Sequence, residues 1–362
     1  MWNPNKNLKL FLDISTYCNA ACPQCHRTDV YGLGKTKDLP LVQWTIDEFI
    51  TAFPADECKN VSYWDICGTW GDPLMNRDII KIVNYIKENS KGLISITTNG
   101  SMRDEDFFWE LGMIGKEQLQ VCFAVDGINQ QMHQHYRRKT ELSKVLNHMQ
   151  VIGKETQSKA TSQTVLFKHN DNYKDQIKKL CFDFGSTSHS FVVSNRFGPA
   201  GWTGHHHKSE KNKKSYFVDE NGTEQFLEPA NLDKLKNKTL TLGKYSTIEE
   251  QEENIHCRWA NGNKILINPD GQVAPCCYTG NSFYMKKYFF TKNKTQEAQE
   301  AIMIEYLNNQ ETYNIFKHKL SDILKTPWFK DRLKESFNNI ASSICSQNCS
   351  KKSSVKYYRG TG

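Results

Sequence analysis

The chain has 362 residues, 38% of them hydrophobic and 24% charged, with a formal net charge of +7. That length suggests about two to three domains with room for a sizeable core, and no apolar run approaches the ~18 residues a membrane-spanning helix needs. Much of the cationic excess lies in His205–Lys214 and in the tail 351–362, both of which read as solvated loop, so a nucleic-acid partner is not expected. The first 15 residues pass from polar side chains straight into apolar alternation, without a basic segment, a long apolar stretch or a small-residue cleavage site. Twelve cysteines in such a chain read as metal ligands in a reducing, cytoplasmic setting rather than as disulfides.

In chain order, Leu8, Leu10, Leu12 and Ile14 alternate as one face of a strand, and the cysteine-bearing loop YCNAACPQCHR (17–27) follows. A helix starts at Thr45, whose hydroxyl can cap while Glu48 reaches back. Strands are predicted at 61–67, 93–100, 119–127, 161–167 and 190–195, and helices at 78–88, 104–112, 141–153 and 173–185. Six strands alternating with helices favour right-handed crossovers and a parallel sheet, open or closed into a barrel. Ligands of such folds gather where strands end and helices begin, and the first cysteine loop lies on that rim.

From about Gly198 the rhythm fails. Residues 200–256 are polar and read as a long loop or linker, with His205, His206 and His207 as surface residues. Asn263–Tyr278 carries a hairpin pattern turning at Pro269, Asp270 and Gly271, and a helical stretch rich in lysine and aromatics follows.

Cys18, Cys22 and Cys25 offer three thiols. A structural zinc site needs four ligands, and His26 adjoins Cys25 too closely to aim at the same ion without strain. A four-iron cluster held by three thiolates would leave one iron free for another ligand. The spacing CxxxCxxC after the first strand of a βα domain resembles the signature of the radical S-adenosylmethionine superfamily. The resemblance implies an α/β fold, a partial (β/α)6 TIM-like barrel with a smaller C-terminal α+β domain. It also implies a 4Fe-4S cluster on Cys18, Cys22 and Cys25 whose free iron chelates S-adenosyl-L-methionine. Reductive cleavage of that cofactor would give a 5′-deoxyadenosyl radical that abstracts a substrate hydrogen, with the electron delivered by an external one-electron reductant of flavodoxin or ferredoxin type.

Further matches follow the same resemblance. Where relatives carry GGEP, this chain has Trp70, Gly71, Asp72 and Pro73, which changes two side chains. Many relatives place an aromatic residue before the third cysteine, where this chain has Gln24. Asn99, Asp126 and Arg138, at or just beyond the ends of the third and fourth strands, are candidate cofactor contacts, and turn-forming roles explain Asn99 and Asp126 equally well.

The C-terminal region resembles the auxiliary-cluster domain called SPASM, or its shortened twitch form. Cys257 is followed by 13 residues, then Gly271, then four residues and Cys276, and only one later cysteine pair remains, Cys345 and Cys349. These four imply one auxiliary 4Fe-4S cluster, with a four-thiolate zinc site as the alternative. Cys277 adjoins Cys276 and would point to the opposite face of a strand. Cys58, Cys67, Cys122 and Cys181 read as buried apolar thiols, with Cys67 nearest the rim. The expected division is a core at 1–200, a polar linker or insertion at 201–254, the auxiliary domain at 255–350 and a basic tail at 351–362. Relatives with a reduced auxiliary domain oxidise aminocyclitols or build a molybdopterin precursor, and those with the full domain mostly modify peptides. The leading expectation is dehydrogenation or cross-linking of a peptide or protein side chain. A small-molecule dehydrogenase and a non-catalytic metal-binding scaffold are the alternatives.

Overall fold

The computed structural model describes residues 1–194, 196–197, 214–231, 255–288, 301–339 and 343–349. Strands β1 (Leu8–Leu12), β2 (Val61–Ile66), β3 (Leu93–Thr98), β4 (Leu119–Ala124), β5 (Lys159–Leu166) and β6 (Ser186–Val193) lie side by side in sequence order. All five successive pairings are parallel. Helices fall between them as expected, and the first starts with Thr45 and Glu48 hydrogen-bonded reciprocally, the capping box read from sequence. β1 and β6 do not pair with each other, so the arc is an open, partial (β/α)6 barrel.

One face of the arc carries the core. Trp64, Ile66, Ile94, Ile96, Val121 and Phe123 are fully buried beneath the crossover helices, and the Trp64 ring packs on Phe49 and Phe53 at 6.0 and 5.2 Å. Each such side chain contributes about 1.5–3 kcal/mol of burial. The alternate residues Tyr63, Thr97, Gln120, Cys122 and Gln163 are only half-buried, which leaves the opposite face polar and partly open.

The predicted hairpin forms, as β9 (Lys264–Ile267) and β10 (Val273–Ala274), with Gly271 at φ +79° in its turn. It does not stand apart from the barrel. β9 pairs in parallel with β1, so the C-terminal region covers the sheet edge that β1 would otherwise expose. Behind it the helices Cys277–Tyr288, Ala301–Asn308, Leu333–Asn339 and Ser343–Cys349 build the smaller C-terminal region.

Three features differ from the sequence reading. A helix at Gln130–Tyr136, capped by Asn129, was not evident because INQQMHQHY lacks an apolar period. β6 begins at Ser186 rather than Ser190: its polar start is stabilised by Ser162, whose hydroxyl meets Ser186 and His189 at 2.8 and 2.7 Å in the interior. Within the polar stretch 200–256 lies a second hairpin, β7 (Ser215–Val218) with β8 (Glu224–Leu227). Asn195, His205, His206, His207 and the tail 351–362 lie outside the described residues.

Candidate active site

The cysteine loop leaves the C-terminal end of β1 and is pinned by its own backbone. Cys25 N–H donates to Cys22 C=O at 2.9 Å, and Ala21 N–H donates to the carbonyl of Arg138 at 3.0 Å. Cys18, Cys22 and Cys25 all pack into one apolar cluster with Ala20, Ala21, Val30, Tyr136 and Phe167. Burial pushes the Cys22 thiol up to about 11 and raises Cys18 further.

Arg137 is a cation that faces the thiols of this loop. Its Nη1 lies 3.8 Å from the Cys22 sulfur, and its Nε donates to the fully buried carboxylate of Asp126. Asp126 in turn accepts from Val165 N–H at 2.5 Å, and its own N–H meets His133 Nδ1 at 3.2 Å. Burial disfavours the guanidinium's charge, but Asp126 and Cys22 outweigh it and keep Arg137 protonated. Asp126 therefore anchors a cation through one oxygen and the β5 backbone through the other.

The loop after β2 approaches from the other side. A methyl group on Gly71 would sit 2.2 Å from the Ser15 carbonyl oxygen, so only glycine lets the two loops touch. Asp72 N–H donates to Tyr17 C=O at 2.7 Å, and the Asp72 carboxylate accepts from Thr98, from Leu74 N–H and from both nitrogens of Asn99. Pro73 starts the short 3-10 turn that Asp72 caps. Asn99 Nδ2 also lies 2.9 Å from Asn19 Oδ1 and 3.7 Å from the Cys18 sulfur. Trp70 is fully buried between the rings of His26 and Tyr284, at 5.5 and 4.8 Å, and wedges the loop against the C-terminal region.

Cys18, Cys22, Cys25, Gly71, Asp72, Pro73, Asn99 and Asp126 thus converge at one rim. Arg138 does not join them with its side chain: its guanidinium bonds Glu220 at 2.6 Å. The inward arginine was missed because it directly follows the helix Gln130–Tyr136, whose sequence lacks an apolar period, and its direction depends on Asp126. Gln24 is likewise buried: its side chain accepts from Ser194 at 2.6 Å and donates to the Arg196 carbonyl at 3.3 Å, tying the loop to the end of β6.

In the C-terminal region, Cys257, Cys276, Cys345 and Cys349 line a single pocket with Ile255, Trp259, Pro275, Leu333 and Phe337. Thr279 N–H points at the Cys276 sulfur at 3.5 Å and Ala260 N–H at that of Cys257 at 3.4 Å. Burial pushes Cys276 up to about 12. Cys277 opens the following helix and does not line the pocket. Among the described residues, no three His, Cys, Asp or Glu side chains are set to hold a single metal ion. Soft thiol donors, apolar walls and N–H groups aimed at sulfur suit a thiolate-bound iron–sulfur group at either place.

Residues 12–181 match the model of the Radical SAM superfamily, from the last residue of β1 to Cys181. Among solved structures the fold is similar to Streptococcus suis SuiB bound to S-adenosylmethionine, with a TM-score of 0.57 and 14% identity over 98% of this chain and 72% of that one. SuiB bound to its precursor peptide SuiA gives 0.56 and 14%, over 98% and 71%. Native anSMEcpe with bound AdoMet gives 0.51 and 16%, over 95% and 90%. At such identities the likeness is one of fold. No curated protein matches the sequence. Among the described residues, no helix is long and apolar enough to cross a membrane.

Proposed function

We propose that this chain is a radical S-adenosylmethionine enzyme that modifies a peptide or protein side chain, by dehydrogenation or cross-linking. The observation that carries the reading is the rim itself: three thiols of one loop share an apolar cluster, and a half-buried guanidinium lies beside one of them. A 4Fe-4S cluster with S-adenosylmethionine would supply there a carbon-centred radical able to take a substrate hydrogen.

The chain's own residues do the rest. Cys18, Cys22 and Cys25 would hold the cluster. Arg137, preset by Asp126, offers a cation to the carboxylate of the cofactor. Gly71 and Pro73 shape the backbone opposite, and Asp72 fixes Asn99 so that its amide faces the first thiol. The apolar side chains around the loop exclude water, which keeps side reactions of a radical low.

Cys257, Cys276, Cys345 and Cys349 would hold a second 4Fe-4S cluster, which would supply an electron acceptor or a substrate-binding site there, within an auxiliary region spanning about 255–350. An external one-electron reductant of flavodoxin or ferredoxin type completes the set, in the cytoplasm. A peptide substrate is supported by the solved structures that share this fold, since SuiB is seen with the precursor peptide SuiA and anSMEcpe with the Cp18Cys peptide. Tandem mass spectrometry of candidate peptides incubated with the reduced enzyme tests it. Loss of two hydrogens from the peptide is the expected result, and unchanged peptides with oxidation of a small molecule would replace it with the second reading.

A further inference from the structure

An isolated two-stranded hairpin is marginal in water and must draw its order from what it packs on. In β7–β8 the inward side chains are Phe217 and Leu227, 2% and 0% exposed, and both belong to the apolar cluster that contains Cys18, Cys22 and Cys25. The backbone joins as well: Val218 N–H donates to Val30 C=O at 2.7 Å, and Gly32 N–H donates to Val218 C=O at 3.0 Å. The hairpin is thus laid directly on the cysteine loop and the turn that follows it.

One residue fastens both. The carbonyl of Arg138 accepts from Ala21 inside the cysteine loop, and its guanidinium meets Glu220 at 2.6 Å and Asp219 at 3.9 Å in the hairpin turn. That turn is itself held, because Asp219 accepts from the N–H groups of Asn221 and Thr223 at 3.0 and 2.9 Å.

We infer that the β7–β8 hairpin is a clip laid over the cysteine loop, with Arg138 as the positioning residue that fastens it there. The inference rests on the reading of Cys18, Cys22 and Cys25 as cluster ligands. Its role is protective: solvent access governs both the potential and the lifetime of a thiolate-bound cluster, and the clip reduces it.

The test uses the full-length reconstituted protein and follows, in air, the decay of the reduced-cluster resonance that responds to S-adenosylmethionine. Arg138→Glu and Glu220→Arg should each hasten that decay by about fivefold, the shift in open population expected from losing a partly shielded ion pair. The double exchange should restore the lifetime toward that of the parent. Glu220 is exposed in the hairpin turn and Arg138 is half-buried just beyond the helix Gln130–Tyr136, and the fold itself is checked by thermal melting. Equal lifetimes in the parent, the single variants and the double variant would overturn the clip while leaving the cluster reading intact. A parent protein that binds no iron at this loop would overturn the cluster reading and the clip with it.

Discussion

The guanidinium of Arg137 lies 3.8 Å from the sulfur of Cys22, and the carboxylate of Asp126 holds it there from behind. A buried pair of this kind is costly to break from one side. Arg137→Ala leaves Asp126 buried without its cation and should destabilise the fold by about 3–5 kcal/mol. Arg137→Lys keeps the charge but loses the fork that reaches both partners, so it should fold and still weaken cofactor binding. Thermal denaturation checks the first, and titration of the cluster spectrum with S-adenosylmethionine checks the second. Full affinity in the lysine variant would contradict the assigned role.

Gly71 makes a sharper prediction about shape. A Cβ there would sit 2.2 Å from the Ser15 oxygen and 2.7 Å from the Thr16 carbonyl carbon, both backbone atoms that cannot yield independently. Gly71→Ala should push the loop away from β1 and lower S-adenosylmethionine affinity by about tenfold or more, with iron content unchanged. Unaltered affinity would show that the loop has no part in holding the cofactor.

The two cysteine groups should be separable. Cys22→Ala removes one of three anchors and is expected to lower iron by about four per chain and abolish release of 5′-deoxyadenosine. Cys349→Ala should also lower iron by about four yet leave some uncoupled release. Iron analysis and chromatography of the nucleoside distinguish these outcomes, and equal loss of nucleoside in both variants would contradict separate roles.

Asp13 sets a pH dependence. It is fully buried at the end of β1, with one oxygen accepting from Thr69 N–H at 2.7 Å and the other without a hydrogen-bond partner. Burial lifts its carboxyl from 3.8 to about 7, against the pull of those hydrogen bonds. The folded state therefore holds this proton at pH values where the unfolded chain has released it. The stability it contributes is full below pH 3.8 and is lost as pH rises through about 7. Asp13→Asn should remove up to about 4 kcal/mol of that slope. Denaturant midpoints at pH 5 and pH 8 check it, and an undiminished slope in the variant would contradict it.

What could be read in advance follows from the range of the interactions. Local periodicity and capping exposed the six strands and most crossover helices, because Trp64, Ile94 and Phe123 repeat on one face and Thr45 with Glu48 is a four-residue pattern. The thiol spacing 18, 22, 25 is local too, and the structure brings all three into one cluster. The choice between Arg137 and Arg138 is not local, since it depends on Asp126 across a helix and on Glu220 far along the chain. The β7–β8 hairpin carried a local signal that was passed over, Asn221-Gly222 between Tyr216–Val218 and Phe226–Leu227, because the stretch around it is polar. Its seat was not local, since Phe217 and Leu227 pack on a loop nearly 200 residues earlier.

The most direct measurement is the electron paramagnetic resonance spectrum of the anaerobically reconstituted, reduced protein with and without S-adenosylmethionine. A four-iron signal that changes when the cofactor is added, and vanishes in Cys22→Ala, is the predicted result. Zinc in place of iron at the first loop, or an iron signal indifferent to the cofactor, would contradict it.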